Sequence, residues 1–151
     1  MASRKKNNMQ LDQQLCFALY RASQAVTASY RVHLAEVGLT YTQFLVLLVL
    51  WESGETTVGK LSAQLGLDSG TLTPLLKRLE QRGLVSRRRS SDDERVVCID
   101  LTEDGRALRA PVDRARMKVA SDTGLDMDEV VQLRSELQRL WEHMEDREAN
   151  P

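Results

Sequence analysis

The spacing of apolar residues changes along this chain, and that change limits the folds it can adopt. In the first half, apolar residues recur every three to four positions, which is typical of amphipathic helices. Between Leu84 and Leu101, two β-prone runs flank a polar loop at residues 90 to 94, and this pattern predicts a hairpin. Helical spacing returns after Thr102 and continues to about Arg147. We therefore predict a mainly α-helical fold with a small β-hairpin.

Capping residues divide the first part of the chain into helices. A first helix begins near Leu11 and ends before Gly38. Thr40 can cap a second helix, and residues 44 to 51 within it are apolar nearly all round, which predicts burial on most sides. Residues 61 to 66 form a short helix that ends on a glycine.

The next helix begins at Asp68, which occupies an N-cap position, and we expect it to reach Arg82. Pro74 falls inside this helix and predicts a local bend, because proline removes one backbone hydrogen bond. Two long helices follow the hairpin, at about residues 103 to 123 and 128 to 147.

The elements between residues 57 and 101 have the order of a winged helix-turn-helix. Two helices joined by a tight Gly-containing turn place the second helix in the DNA major groove, and the hairpin supplies the wing. The flanking helical regions, about 11 to 36 and 103 to 148, have apolar stripes that need cover, so we expect a homodimer. We expect a single domain over 11 to 151 and a flexible arm at 1 to 10.

Charged residues are segregated, although the formal net charge is only −1. From Lys77 to Arg95 there are seven basic and four acidic residues, a local net charge of +3. From Asp126 to Glu148 there are eight acidic and three basic residues, a local net charge of −5. A basic segment on a near-neutral chain is typical of a surface that binds a polyanion. A solvated helix face would give the same pattern, so charge alone leaves both interpretations open.

The helix that begins at Asp68 carries residue types suited to DNA. Hydroxyl side chains occupy its leading end and can bond to base edges, while later cations suit phosphates. An ordinary capped surface helix is the alternative, and the adjacent basic hairpin favours DNA binding. The candidate residues on this helix are Ser69, Thr71, Thr73, Lys77 and Arg78.

The hairpin carries a second group of candidate DNA contacts. Three arginines, Arg87, Arg88 and Arg89, follow one another along one strand, and Arg95 opens the other strand. An arginine at the wing tip can enter a narrow minor groove, where the negative potential is enhanced. Acidic residues such as Asp93 also lie in this loop, and a carboxylate paired with Arg95 would fix the direction of its guanidinium.

The two cysteines give no metal or redox motif, because Cys16 and Cys98 are 82 positions apart. Val97 and Ile99 should share one strand face, which places Cys98 on the other. The two histidines have no partners at ligand or triad spacing, so we expect no metal, no cofactor and no catalytic constellation. The longest apolar run is too short to span a bilayer, and no signal peptide is evident. The expected compartment is the reducing cytoplasm, with no membrane partner.

Longer segments of the sequence carry a family resemblance. SDDERVVCIDLTEDG, residues 91 to 105, resembles the wing signature of the MarR family, which are dimeric winged-helix repressors of bacteria. LDQQLCFALY, GLTYTQFLVLLVLWE and LDSGTLTPLLKRLEQRGLVSRRR are similar to the organic hydroperoxide resistance regulators (OhrR) within that family. The resemblance extends over about residues 11 to 145. It implies a repressor that binds double-stranded operator DNA and is not an enzyme.

The resemblance also implies a sensor. In this subfamily a cysteine of the first helix reacts with organic hydroperoxides, the inducers, and Cys16 matches it. Tyr20, Tyr30 and Tyr41 match the tyrosines that hold the sensor thiolate, some of them from the partner subunit. Some relatives carry a resolving cysteine in the C-terminal helices, which this chain lacks. The chain thus resembles the one-cysteine type, in which a small cellular thiol caps the sulfenic acid, and Cys98 is interpreted as incidental.

Two alternative functions remain open from the sequence. The first is a MarR-type repressor relieved by a small phenolic or other non-oxidant ligand, with Cys16 serving only in packing. The second is a thiol peroxidase that uses Cys16 catalytically, which requires a resolving route that the sequence does not show. A peroxide sensor and a thiol peroxidase would both react as the thiolate of Cys16, and the predicted position of Cys16 near a helix N-terminus favours that form.

Overall fold

The computed structural model describes residues 9 to 149. Most of the expected N-terminal arm, residues 1 to 8, and the last two residues lie outside the described residues. The chain divides into two compact units, one ending at Val119 and the other beginning at Ala120, and each is described by itself. The single domain expected from the sequence therefore stays a prediction.

The first unit begins with a 3-10 turn, Leu11–Gln13, followed by helix α1, Leu15–Leu34. Leu34 is the single buried residue of the twenty in α1, so the helix presents most of its surface to its surroundings. A 3-10 helix, Ala35–Val37, continues it. The chain then turns at Gly38, whose φ of +67° lies in the left-handed region that favours glycine.

Helix α2, Tyr41–Ser53, forms the centre of the core. The Thr40 hydroxyl accepts the Gln43 backbone N–H, and the Gln43 side chain accepts the Thr40 N–H, so the predicted cap is a complete capping box. The expected burial of this helix is confirmed. Its buried residues are Gln43, Phe44, Val46, Leu47, Val49 and Leu50.

Helices α3, Val58–Leu65, and α4, Ser69–Gln81, form the helix-turn-helix. The predicted cap at Asp68 is confirmed, since its carboxylate accepts the Thr71 N–H at 2.7 Å. Pro74 lies inside α4, as the sequence indicated. Helix α3 begins three residues earlier than expected because Thr57 caps it.

The predicted hairpin is confirmed and belongs to a three-stranded antiparallel sheet. Its strands are β1, Thr56–Thr57, β2, Val85–Arg89, and β3, Val97–Leu101, in the order β1-β3-β2. Ile99 is fully buried, whereas Cys98 lies on the opposite face and is partly exposed. The alternation expected from the sequence is therefore present.

The prediction of a single helix over residues 103 to 123 is wrong, because this segment forms two helices. The structure contains two helices, α5, Glu103–Ala107, and α6, Arg109–Asp122, with a break at Leu108. Pro111 explains the break. It has no N–H to donate to the Ala107 carbonyl, and its ring crowds that carbonyl.

The base of the hairpin is fastened to the helices around Gly105. The Trp51 indole N–H donates to the Gly105 carbonyl at 3.0 Å, and the Gly105 N–H donates to the Thr102 hydroxyl at 3.1 Å. The Thr102 N–H in turn donates to the Leu84 carbonyl at 3.1 Å. These bonds connect α2, α5 and the first residues of the hairpin, so the wing has a fixed base.

The second unit is dominated by helix α7, Met127–Ala149. Asp126 and Glu129 form a reciprocal cap at its start, with N–H to carboxylate distances of 2.8 and 2.9 Å. Among the described residues, no single helix is long and apolar enough to cross a membrane. The segments Leu15–Val37 and Tyr41–Ser53, which are bent by 73° relative to each other, have the length and apolar composition of a membrane span only when the two are taken together.

Candidate functional site

Cys16 is the second residue of α1, and its thiol is exposed and free. The N-cap residue of this helix, Gln14, makes no side-chain capping hydrogen bond. The positive end of the helix dipole and its first backbone N–H groups are therefore next to the thiol, which favours a negative charge on sulfur. The predicted position of Cys16 near a helix N-terminus is confirmed, and its role as a sensor stays a prediction.

Tyr20 lies one helical turn beyond Cys16 on the same side of α1 and is 60% exposed. Its hydroxyl oxygen accepts a hydrogen bond from the Gln24 side-chain amide at 2.9 Å. Because the oxygen is the acceptor there, the phenol O–H still has its own proton to donate.

Tyr30 and Tyr41 lie together, with ring centroids 4.9 Å apart, and Phe44 stacks on Tyr30 at 5.3 Å. Burial raises the pKa of both phenols above the usual value, and the neighbouring Tyr41 raises that of Tyr30 further, against a smaller opposite effect of Arg116. Both are therefore protonated donors at neutral pH. Within residues 9 to 149, neither hydroxyl makes a hydrogen bond.

The predicted thiol site is therefore only partly assembled in one chain. Tyr30 and Tyr41 are brought together, but no hydrogen bond joins Cys16 to a tyrosine within the part of the chain that the structure describes. An open groove of about 510 Å³ runs between α1 and the start of α2 beside Tyr41. Its lining mixes polar and apolar residues, namely Gln24, Thr27, Ala28, Arg31, Leu39, Thr40, Tyr41 and Thr42.

The candidate DNA contacts of α4 share the exposed side of the helix. Four leucines hold its other side in the core, and they are Leu72, Leu75, Leu76 and Leu79. All five predicted contact residues are exposed: Ser69, Thr71, Thr73, Lys77 and Arg78. Neither cation of this group forms an ion pair within the described residues. The helix therefore presents hydroxyls at its leading end and unpaired cations one to two turns later, as a major-groove helix requires.

The arginines of β2 do not form one surface, because consecutive residues of a strand point to opposite faces. Arg88 lies opposite Cys98 and binds the Glu55 carboxylate through two nitrogens, at distances from 2.7 to 3.0 Å. Hydrogen bonding to Glu55 raises the pKa of Arg88. Glu55 could not be identified as the partner of Arg88 from the sequence, since a residue 33 positions away gives no local signal.

Arg87 points to the other face of β2, toward α4. Its Nε donates to Glu80 Oε2 at 2.7 Å, and its Nη2 lies 2.6 Å from the same oxygen. This hydrogen bond lowers the pKa of the Glu80 carboxyl. Glu80 was also missed from the sequence, although the alternation of β2 would have directed Arg87 toward the helix that precedes the strand.

The wing tip is shaped by backbone contacts of its loop. The Asp93 carboxylate accepts the backbone N–H of Arg95 at 3.0 Å, not the Arg95 guanidinium as we expected. An aspartate bonding two residues ahead stabilises a turn, which explains an acidic residue in this loop. Arg89 Nη1 donates to the Glu94 carbonyl at 3.1 Å. The Arg95 side chain is exposed and has no ion pair with any described residue.

Comparison with known proteins agrees with this geometry. The family model described as transcriptional regulator SarA/Rot matches residues 28–110. The organic hydroperoxide resistance transcriptional regulator of Bacillus subtilis (strain 168) is 53% identical over 105 residues, which cover 70% of this chain and 71% of that protein.

Solved structures show the same fold. Reduced AbfR bound to DNA has a TM-score of 0.77 and 39% identity, over 93% of this chain and 98% of that one. AbfR, a protein of Staphylococcus epidermidis, has also been solved overoxidised and bound to DNA, and with a disulfide formed. A mutant of MarR from E. coli has a TM-score of 0.70 and 26% identity, over 85% and 96% of the two chains.

The match to a SarA/Rot regulator model over more than half of the chain agrees with the winged helix-turn-helix of α3, α4 and the hairpin. The relatives are transcriptional regulators and not enzymes. This chain is therefore a DNA-binding transcriptional regulator that belongs to the MarR family, and its sequence is similar to that of an organic hydroperoxide resistance regulator (OhrR).

Proposed function

We propose that this regulator is a homodimeric repressor that leaves its operator when an organic hydroperoxide oxidises Cys16. The observation that carries the proposal is an exposed cysteine in the first turn of α1, in a chain 53% identical to an organic hydroperoxide resistance regulator. AbfR, solved in reduced, overoxidised and disulfide forms, supports thiol oxidation as a chemistry of this fold.

The chemical step begins at the thiolate. Its sulfur attacks the terminal oxygen of the hydroperoxide, the O–O bond breaks, and the alkoxide leaves and takes up a proton to become an alcohol. Sulfur is oxidised to the sulfenic acid, and the peroxide is reduced. A small cellular thiol then condenses with the sulfenic acid and releases water, which leaves a mixed disulfide at Cys16.

The tyrosines stabilise the reacting thiolate in this proposal. Tyr20 donates from the same helix, and Tyr30 and Tyr41 donate from the partner subunit. Two observations support the second part: both phenols are protonated, and neither hydroxyl has a hydrogen-bond partner among the described residues of its own chain. A half-buried pair of unoccupied donors is available to an acceptor from the partner subunit.

The dimer is supported by apolar surface on both ends of the chain. Helix α1 exposes Leu15, Val26 and Val32, and α7 exposes Leu133 and Trp141, the latter to 54%. A surface of this kind is costly to leave in water, and a second copy of the chain covers it economically. Two recognition helices must then lie about one DNA turn apart, ~34 Å, and the bulk or charge added at Cys16 shifts the dimer away from that spacing.

The proposed DNA contacts follow the exposed cations and hydroxyls. Residues Ser69, Thr71 and Thr73 read base edges, Lys77 and Arg78 bind phosphates, and Arg95 enters the minor groove. Within the wing, Asp93 holds the turn that carries Arg95, and Arg88 is held by Glu55.

The test is a gel shift on DNA from the region upstream of the gene for this chain. We expect Cys16→Ser to bind that DNA like the wild type and to stay bound when cumene hydroperoxide is added, because it packs alike but cannot form a sulfenic acid. Cys98→Ser is the matched control and should be released normally. Release of Cys16→Ser at the wild-type dose would contradict the proposal, and loss of release in Cys98→Ser would indicate a two-cysteine mechanism.

A second candidate function is relief by a small phenolic ligand bound in the groove beside Tyr41. The groove of about 510 Å³ is the observation that favours it, because it is large enough for an aromatic acid and carries both Arg31 and apolar Leu39. This alternative predicts release by the ligand without peroxide, and the same release in Cys16→Ser.

A further inference from the structure

The contact between Arg87 and Glu80 leaves much of the guanidinium unused. Both close approaches go to one oxygen, Glu80 Oε2, from Nε and Nη2. Arginine carries five N–H donors in a rigid fork, so Nη1 retains both of its hydrogens. Within the described residues Nη1 has no hydrogen-bond partner, and the Arg87 side chain is 31% exposed.

The location of this guanidinium is set by the two elements that meet there. Glu80 is near the end of α4, three positions after Lys77 and therefore on a neighbouring part of the exposed side. Arg87 is in the middle of β2, the first strand of the wing. The guanidinium thus lies in the corner between the recognition helix and the wing.

The geometry of DNA gives this corner a specific neighbour. In a winged-helix complex the recognition helix occupies a major groove, and a wing tip that enters a minor groove occupies the adjacent one. Adjacent grooves of a duplex are separated by a sugar-phosphate backbone, so one backbone passes between the helix and the wing. A cation fixed in that corner faces phosphates.

We propose that Glu80 is a positioning residue for DNA binding, which holds Arg87 in this corner so that its Nη1 donates to a backbone phosphate. Glu80 itself does not touch DNA. It removes the rotational freedom of a long side chain before the complex forms, and a guanidinium with one edge on a carboxylate presents the other edge in a fixed direction. The proposal depends on DNA binding alone and is independent of the response to peroxide.

Removing the negative charge of Glu80 is expected to change DNA affinity in the direction opposite to a simple charge effect. Removing a carboxylate from a DNA-binding surface ordinarily strengthens binding, because a negative charge near phosphates is lost. If Glu80 positions Arg87, the substitution Glu80→Gln weakens binding instead. The two expectations differ in sign, so one measurement distinguishes them.

The experiment measures binding of the reduced, full-length protein to a labelled duplex from the region upstream of its gene, over a series of salt concentrations. We expect Glu80→Gln to bind roughly tenfold more weakly, the loss of one charge-assisted hydrogen bond. The slope of log K against log salt should decrease by about 0.9 for each phosphate that the protein no longer neutralises. Arg87→Ala should show the same decrease in slope.

Two control variants separate the positioning effect from charge and from ion-pair loss. Glu94→Gln removes a carboxylate of the wing loop whose side chain has no ion pair within the described residues, and it should bind as tightly as the wild type or more tightly. Asp113→Asn breaks a comparable pair on α6, where Arg116 Nε lies 2.9 Å from the carboxylate, and it should leave DNA binding unchanged.

A double mutant makes the test independent of fold stability. When Arg87 is already alanine, Glu80→Gln has nothing to position, so it should strengthen binding through its charge alone. A reversal of sign between the two backgrounds supports the positioning role, and a purely structural role of Glu80 would not produce it. Equal or tighter binding of Glu80→Gln in the wild-type background, with an unchanged salt slope, would overturn the proposal.

Discussion

Replacing Gly105 by alanine should destabilise the protein, although simple helix propensity predicts the opposite. Gly105 lies inside α5 with an ordinary helical φ, and a Gly-to-Ala change within a helix usually stabilises by roughly 0.5–1 kcal/mol. A Cβ at this position, however, would lie 2.0 Å from the Leu84 carbonyl oxygen and 3.0 Å from a methyl group of Leu101.

The size of the destabilisation depends on how far the backbone around Gly105 must move. Relieving the contact with Leu84 requires a displacement of the order of 1 Å between backbone segments, judged from the 3.0 Å that real Cβ contacts keep. The Leu84 carbonyl accepts the Thr102 N–H and the Leu84 N–H bonds to the Leu79 carbonyl, so neither segment yields freely. Overpacking of this kind costs about 1–3 kcal/mol, which outweighs the helix-propensity gain.

The assay is thermal unfolding followed by far-UV circular dichroism, at equal protein concentrations for all variants. At about 2–4 °C per kcal/mol for a chain of this size, we expect Tm to fall by several degrees. Gly59→Ala in α3 is the matched control, because a Cβ there meets its nearest atom at 3.9 Å, and its Tm should rise slightly. A Tm for Gly105→Ala at or above the wild-type value would refute the reasoning.

Two further predictions concern the thiol and the DNA surface. Tyr30→Phe and Tyr41→Phe each delete a donor to the Cys16 thiolate, worth roughly 1.5–3 kcal/mol, so alkylation of Cys16 by iodoacetamide at fixed pH should slow about ten- to hundredfold while DNA affinity stays the same. An unchanged alkylation rate in both variants would exclude this role for the phenols. Lys77→Ala should weaken binding to all sequences alike and reduce the salt slope by about one, whereas Arg95→Ala should weaken binding most on operators with a narrow minor groove, as measured by fluorescence anisotropy. A changed base preference with an unchanged salt slope in Lys77→Ala would contradict the phosphate assignment.

Features that depend on neighbouring residues were predictable from the sequence. Thr40 and Asp68 cap their helices by bonding to N–H groups three residues ahead, so the cap and its partner can be identified in one short segment. The buried face of β3 follows from strict alternation, and Ile99 is fully buried as expected. Cys16 lies in the first turn of α1, although the sequence placed the start of that helix four residues earlier, near Leu11, and no side-chain cap marks the true start.

One local feature was missed although the sequence contained it. Pro111 interrupts the helical pattern after Thr102, and the structure breaks at Leu108, three residues earlier. The apolar spacing continues through the break and predicts one helix. The chain forms two helices instead, because Pro111 lacks the N–H that a single helix would need there, and apolar spacing does not replace that hydrogen bond.

Contacts between residues distant in sequence were decided by the tertiary structure alone. Arg88 and Glu55 are 33 positions apart, and Trp51 and Gly105 are 54 apart, so no periodicity connects them. The sequence by itself determined that the hairpin carries four arginines. The packing of α4 against β2, and the position of Glu55 just before β1, determined which arginines are held by carboxylates and which are left exposed. The physical reason is that an ion pair needs two side chains within a few ångströms, and their separation in space is set by how the elements pack, not by their separation along the chain.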